Sequence, residues 1–170
     1  MNAPDTAATF REVPPGTIRT VDDVLAWPLI RRLIAFDTTS RDSNLALLDW
    51  VRDFLADHGV FSTYTFDDER RKANLWATLP ARDGNTTTGG IVLSGHTDVV
   101  PVDGQPWDTD PFEATVRGDR VYGRGVTDMK SGLLTGLHAI AAIREVIGGV
   151  PFARLVFVAN PDEEIGSPVS

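Results

Sequence analysis

The stretch from Ser131 to Val146 is apolar around most of its circumference and is followed by Gly148 and Gly149. A helix without a polar face has to be buried against a sheet, and paired glycines are a natural stop. Apolar strand segments stand on both sides of it: Ile91 to Ser94, short and buried, and Leu155 to Ala159, cut by Asn160 and Pro161. Upstream, Val21 to Phe36 has helical spacing, with Pro28 either in a first turn or breaking it. A clearer helix follows, capped by Asp42 or Ser43, with Leu45, Leu48, Val51, Phe54 and Leu55 on one face and Gly59 as its stop. Phe61 to Phe66 and Asn74 to Leu79 alternate as strands, and Arg82 to Gly90 reads as a loop. Phe112 to Val116 and Arg120 to Tyr122 flank a hairpin turn at Arg117, Gly118 and Asp119, and a glycine-punctuated loop spans Gly123 to Gly125. Strands alternating with helices predict an α/β sandwich, in which sites collect beyond the strand ends.

The chain has 170 residues, 42% hydrophobic and 24% charged, which suits one globular domain. Its formal charge of -8 comes from acids spread along the sequence, so no basic stripe exists to bind nucleic acid. The absence of cysteine excludes disulfides and thiolate metal sites, leaving histidine and carboxylates as ligands, and fits a reducing cytosol. Met1 to Thr20 lacks an apolar signal core, and no stretch reaches the ~20 apolar residues of a membrane span. The expectation is a soluble cytoplasmic protein with no membrane or nucleic-acid partner, in which residues 1–20 form an N-terminal extension and 21–170 the folded domain.

Three groups of chemistry-bearing residues lie just past predicted strand or turn ends: His96-Thr97-Asp98, Asp128, and Asp162-Glu163-Glu164. Residues two apart in an extended segment point the same way, so His96 and Asp98 can face one pocket. Asp98 can then accept the proton-bearing ring nitrogen of His96 and leave the other nitrogen free for a metal, although His-x-Asp also arises by chance. Asp128, before a helix, reads either as a cap favoured by the helix dipole or as a carboxylate bridging two cations ~3.5 to 4 Å apart. Glu163 and Glu164 read either as a solvated acidic turn or as a ligand beside a proton-transfer group. Among other candidates, His58 beside Gly59 is expected at the surface and mid-helix His138 to pack, while the loop holding Trp107, Asp108 and Asp110 either borders the pocket or is anchored by Trp107.

Taken in order, Ser94-Gly-His-Thr-Asp-Val-Val-Pro101, Gly123-Arg-Gly-Val-Thr-Asp-Met-Lys130 and Asp162-Glu-Glu164 resemble the zinc-dependent acetylornithine deacetylase, succinyl-diaminopimelate desuccinylase and glutamate carboxypeptidase family, from about Trp27 to the last residue. The resemblance implies a three-layer sandwich with a mixed, largely parallel sheet covered by helices. It makes His96 and Glu164 metal ligands, Asp128 the bridging ligand, Asp98 the partner orienting His96, and Glu163 the general base and acid. It also implies two zinc ions, with cobalt as a substitute, acting on the amide bond of a small N-acyl amino acid or short peptide. Glu163 would take a proton from the attacking water and return it to the leaving amine.

In the family a further carboxylate, a lid and dimerisation domain and a late histidine follow. The chain is therefore expected to be a truncated, amino-terminal part of the catalytic domain, with one ligand per metal supplied from beyond Ser170 and with homodimeric full-length relatives. Phe36-Asp-Thr-Thr-Ser40, Asp42-Ser-Asn-Leu45 and Val102-Asp-Gly-Gln-Pro-Trp-Asp108 look most like the deacetylases of arginine biosynthesis. Thr127-Asp-Met-Lys-Ser131 and Ala159-Asn-Pro-Asp-Glu-Glu-Ile-Gly-Ser-Pro168 look more like glutamate carboxypeptidases. A catalytically silent, metal- or partner-binding remnant is the rival expectation.

Overall fold

A computed structural model of the chain describes residues 20, 24, 26–144 and 154–168. In chain order the elements are α1 (Trp27–Ile34), α2 (Leu45–Asp57), β1 (Ser62–Phe66), β2 (Ala73–Leu79), β3 (Ile91–His96), β4 (Thr115–Arg117), β5 (Arg120–Tyr122), α3 (Ser131–Ala142) and β6 (Leu155–Asn160). Pro28 sits in the first turn of α1, where its missing N–H costs nothing. β4 and β5 form the expected hairpin, with Gly118 at φ +64 supplying its left-handed corner. The predicted start of the first helix at Val21, the end of the long one at Val146 with Gly148 and Gly149, and residues 1–19 of the N-terminal extension lie outside the described residues.

The main sheet runs β1-β2-β6-β3. It is a mixed α/β sheet, as expected, in which antiparallel pairs outnumber the parallel one among the described residues. β1 pairs with β2 and β2 with β6 antiparallel, whereas β3 pairs with β6 in parallel. Only Asp67 to Lys72 joins β1 to β2, and so short a link reverses the chain but cannot carry a crossover. The Asp67 carboxylate tightens that link by accepting the N–H of Arg71 at 2.7 Å and of Lys72 at 3.0 Å.

The core follows from strand alternation. Ala73, Leu75, Ala77 and Leu79 of β2 and Leu155, Phe157 and Ala159 of β6 share one face, which packs on Leu33, on Leu47, Leu48, Val51 and Leu55, and on Leu133, Leu134, Leu137 and Ile140. Helices α1, α2 and α3 thus cover the same face. Of the expected three layers, the described residues supply two, and the opposite face exposes Trp76 (47%) and Val92 (61%). The start of β3, expected to be buried, is therefore open, because it lies on the sheet's edge strand and Val92 points away from the helices.

Candidate metal centre

Because β3 and β6 are parallel neighbours, their carboxyl ends reach the same edge, with His96 opposite Asn160. The chain beyond His96 continues beside residues 38–40. Thr39 bridges to Val99, Ser40 N–H donates to Val99 O at 3.1 Å, and Thr38 Oγ1 donates to Thr97 O at 2.6 Å. His96 and Asp98 are thereby fixed in buried, extended backbone.

Nδ1 of His96 faces only oxygens, the Asp98 carbonyl at 3.0 Å and the Asp98 carboxylate at 3.3 Å, so it carries the hydrogen. Nε2 is turned outward to Asp128 Oδ1 at 2.9 Å. Hydrogen bonding to Asp98 and Asp128 outweighs burial and pushes the His96 pKa up to about 9. Burial raises the Asp98 carboxyl, but the hydrogen bonds from His96, from Ser40 Oγ (2.8 Å) and from the N–H groups of Glu164 (3.2 Å) and Glu163 (3.1 Å) prevail and hold it below the usual range.

Asp128 is not a helix cap. Gly125, left-handed at φ +82, turns the chain where a Cβ would meet Val99 and Lys130 at 3.0 Å, and Asp128 then takes extended backbone before a cis Asp128–Met129 peptide. Helix α3 begins after Lys130 with no side-chain cap. The Asp128 carboxylate, 73% exposed, projects instead to His96.

Glu163 and Glu164 open a single helical turn after Asp162, which is left-handed at φ +65. Their backbone N–H groups are held by Asp98, so the same carboxylate orients the histidine and the acidic turn. One ligand atom each from His96, Asp128 and Glu164 lies within 4.8 Å of the others. Glu163 Oε2 stands 3.9 Å from His96 Nε2, its side chain half-exposed. Burial and the neighbouring Asp128 charge push the Glu164 carboxyl up. Among the described residues no lysine or arginine pairs with Asp128, Glu163 or Glu164. One imidazole nitrogen and two carboxylates converging without a compensating cation are a donor set that fits a divalent metal.

Several residues that support the site were given no role by the sequence, although Ser40, Asn44 and Lys130 lie within the stretches that carry the resemblance. Ser40 holds Asp98. Asn44, not Asp42 or Ser43 as expected, stands at the N-cap of α2, but its side chain turns inward and bonds the Ala73 backbone and Thr97 Oγ1 at 2.9 to 3.1 Å. Lys72, at the end of an Arg-Arg-Lys run that reads as solvated charge, is buried on Asp162 and the Ser40 carbonyl. Lys130 is fully buried and donates to Phe36 O at 2.5 Å; burial lowers its pKa to about 8. The partners are up to 94 residues apart, and only a buried position for a charge in the strand-flanking segments would have pointed to them. His58 is not at the surface: its ring lies tilted against Phe54, centroids 4.6 Å apart, and Nδ1 meets Phe54 O at 2.8 Å. His138 packs near Phe54. Trp107 bonds Gln105 and lies under Arg124, as an anchor would.

Fold and site together define a class: an α/β domain that gathers an imidazole and carboxylates at the carboxyl ends of adjacent parallel strands, as divalent-cation enzymes do. The profile of peptidase family M20/M25/M40 matches residues 92–170, the stretch that holds His96, Asp128, Glu163 and Glu164. Acetylornithine deacetylase of Yersinia pseudotuberculosis is 34% identical over 133 residues, 76% of this chain and 33% of that protein. Succinyl-diaminopimelate desuccinylase 2 of Ruegeria sp. is 45% identical over 96 residues, 56% of this chain and 23% of that one. The fold matches that of an M20 family metallo-carboxypeptidase from Sulfolobus solfataricus, with a TM-score of 0.70 at 22% identity over 84% of this chain and 32% of the other. A dinuclear metal binding M20 peptidase from Bacillus subtilis matches with a TM-score of 0.53 at 18% identity, over 81% and 34%. The chain spans about a third of the length of the deacetylases it matches. No helix among the described residues is long and apolar enough to cross a membrane.

Proposed function

We propose that residues 21–170 are the amino-terminal part of a catalytic domain that hydrolyses the amide bond of an N-acyl amino acid, most like an acetylornithine deacetylase acting in arginine biosynthesis in the cytoplasm. The observation that carries the reading is the convergence of His96, Asp128 and Glu164 within 4.8 Å, with Asp98 behind the histidine and Glu163 beside it. His96 and Glu164 would each hold one of two cations and Asp128 would bridge them; zinc suits a nitrogen and oxygen donor set without thiolates, and cobalt would substitute. When bound, the pair supplies Lewis acidity, polarising an amide carbonyl and acidifying a water.

The chain's own residues do the rest. Asp98 keeps the hydrogen on Nδ1 of His96 and so presents a lone pair at Nε2. Glu163, held by its backbone while its carboxylate stays half-exposed, takes the proton of the attacking water and delivers it to the departing amine. The relatives' names support a deacetylase or desuccinylase, and the metallo-carboxypeptidase likeness supports a peptidase as the second reading. Homodimerisation completes the proposal.

The test is cation-dependent hydrolysis by a protein in which this segment is extended to the relatives' length, supplied with zinc or cobalt. Acetate release from N-acetylornithine is expected. Release of a carboxyl-terminal residue from an acyl-peptide instead would select the peptidase reading. No hydrolysis of either substrate with either metal would overturn both and leave the silent metal-binding remnant.

A further inference from the structure

The Lys72 ammonium donates to the Asp162 carboxylate and to the Ser40 carbonyl. Its side chain is 10% exposed and that of Asp162 3%, so the pair is shielded from water. A surface ion pair could be lost with little consequence, but a buried one cannot lose a single member cheaply. What makes this pair more than a core contact is the company of its partners. Ser40 is the residue whose hydroxyl donates to Asp98 Oδ2, and Asp162 is the residue whose left-handed backbone starts the Glu163–Glu164 turn. Asp162 O accepts the N–H of Ile165 at 3.2 Å and of Ser167 at 2.7 Å, closing that turn on itself. From the other side Asp98 holds the turn by two N–H groups.

The contacts form a closed circuit: Lys72 to Asp162, along the chain to Glu163 and Glu164, across to Asp98, to the Ser40 hydroxyl, and through the Ser40 carbonyl back to Lys72. We propose that Lys72 is a positioning residue that, clamped between Asp162 and the Ser40 carbonyl, sets the left-handed start of the turn and thereby aims Glu163 and Glu164 at His96. No hydrogen bond joins it to the Glu163 or Glu164 carboxylate, and it acts through Asp162 and Ser40. This inference rests on the metal-site reading for its functional consequence, but its geometric content does not need a cation. An aspartate at φ +65 has to be held by its surroundings, and Lys72 is the charged group that holds the Asp162 side chain.

Replacing Lys72 alone strands a buried carboxylate and endangers folding, so the informative variant is Lys72→Met with Asp162→Asn, which removes both charges and preserves volume. Two readouts apply to the chain. First, amide hydrogen exchange at Glu163 and Glu164 without added metal should accelerate at least about tenfold in the double variant, while the β2–β6 ladder keeps its protection. Second, cobalt(II) affinity, followed by visible absorption, should fall about 10- to 100-fold, as when the support of a ligand is removed. Arg52→Ala, which breaks exposed pairs on α2, should change neither. If Glu163 and Glu164 keep their protection and cobalt affinity is unaltered, Lys72 is a core residue and no more, and the proposal is overturned. If exchange accelerates but the unaltered chain binds no cobalt, the metal-site reading has failed while the positioning of the turn stands. If the double variant loses protection across β2 and β6 as well, the pair serves the whole fold and the specific proposal is overturned.

Discussion

Asp98→Asn removes one charge and almost no volume from the centre of the site, and the structure dictates its cost. Every lone pair of the carboxylate is used: Oδ1 accepts Glu163 N–H and faces His96 Nδ1, and Oδ2 accepts Glu164 N–H and the Ser40 hydroxyl. An asparagine must place its amide nitrogen at one of the two positions. At the Oδ1 position it would confront two donors that cannot adapt. At the Oδ2 position Ser40 can turn its hydrogen to Val99 O, already 3.3 Å away, and accept from the new amide; only Glu164 N–H is then orphaned. The second arrangement wins. It still costs about 1–3 kcal/mol for a buried donor left unmade, plus the charge assistance of the remaining bonds, together about 3 kcal/mol. With a urea slope of about 2 kcal/mol/M that is a midpoint lower by about 1.5 M. Cobalt affinity should fall about 10- to 100-fold, because His96 loses its orienting carboxylate. Denaturation curves and cobalt titrations on the same preparation read both quantities. A midpoint within about 0.3 M of the unaltered chain, with unchanged affinity, would refute the accounting.

In a protein carrying this segment at its relatives' length, Glu163→Gln should lower turnover at least about 100-fold with cation content unchanged, whereas Glu164→Gln should lower cation content itself; elemental analysis beside kinetics separates them. Without metal, stability should have a shallow minimum in pH. Asp98 and Asp128 raise His96 to about 9, so its contribution is whole below about 6.5 and is lost as pH rises through about 9. Burial lowers Lys130 to about 8 from 10.5, so the penalty for its charge is relieved across that interval and stability rises again. Urea midpoints from pH 6 to 10 should dip between about 8 and 9, and Lys130→Met should abolish the upper limb; an unbroken decline would contradict the lysine half. Val92→Lys together with Trp76→Thr, on the sheet face that no described helix covers, should reduce self-association in sedimentation without lowering the denaturation midpoint.

Much of this architecture is legible in one sequence because it is written locally. Alternation in Asn74–Leu79, the one-sided apolar run on α2 and the all-round apolar α3 each report a few consecutive residues and the surface they must meet. The residues of the candidate centre are legible for a different reason: histidine and carboxylates just past strand ends need no partner to be noticed. Ser40, Lys72 and Lys130 are chosen by residues far away in the chain, so even where a quoted motif contains them, as it does Ser40 and Lys130, their partners could not be read from it. The antiparallel side of the mixed sheet also had a signal in the sequence, since the six residues between Phe66 and Ala73 are too few for a parallel crossover. His58 was placed outside because a helix end suggests solvent, whereas its ring found Phe54 one turn earlier.

The parallel pairing of β3 with β6 also has a consequence for the order of folding. His96 meets Asn160 only when the 63 residues between them have closed into a loop, whereas β1 and β2 can find each other across a short link. A chain emerging from synthesis can build its first hairpin and the helices before β6 exists. It cannot then assemble the proposed cation site, because Glu163 and Glu164 follow the end of β6. Metal would therefore be captured only after β6 has paired and could not nucleate that pairing, making cobalt absorbance during refolding a clock that starts no earlier than amide protection in β6.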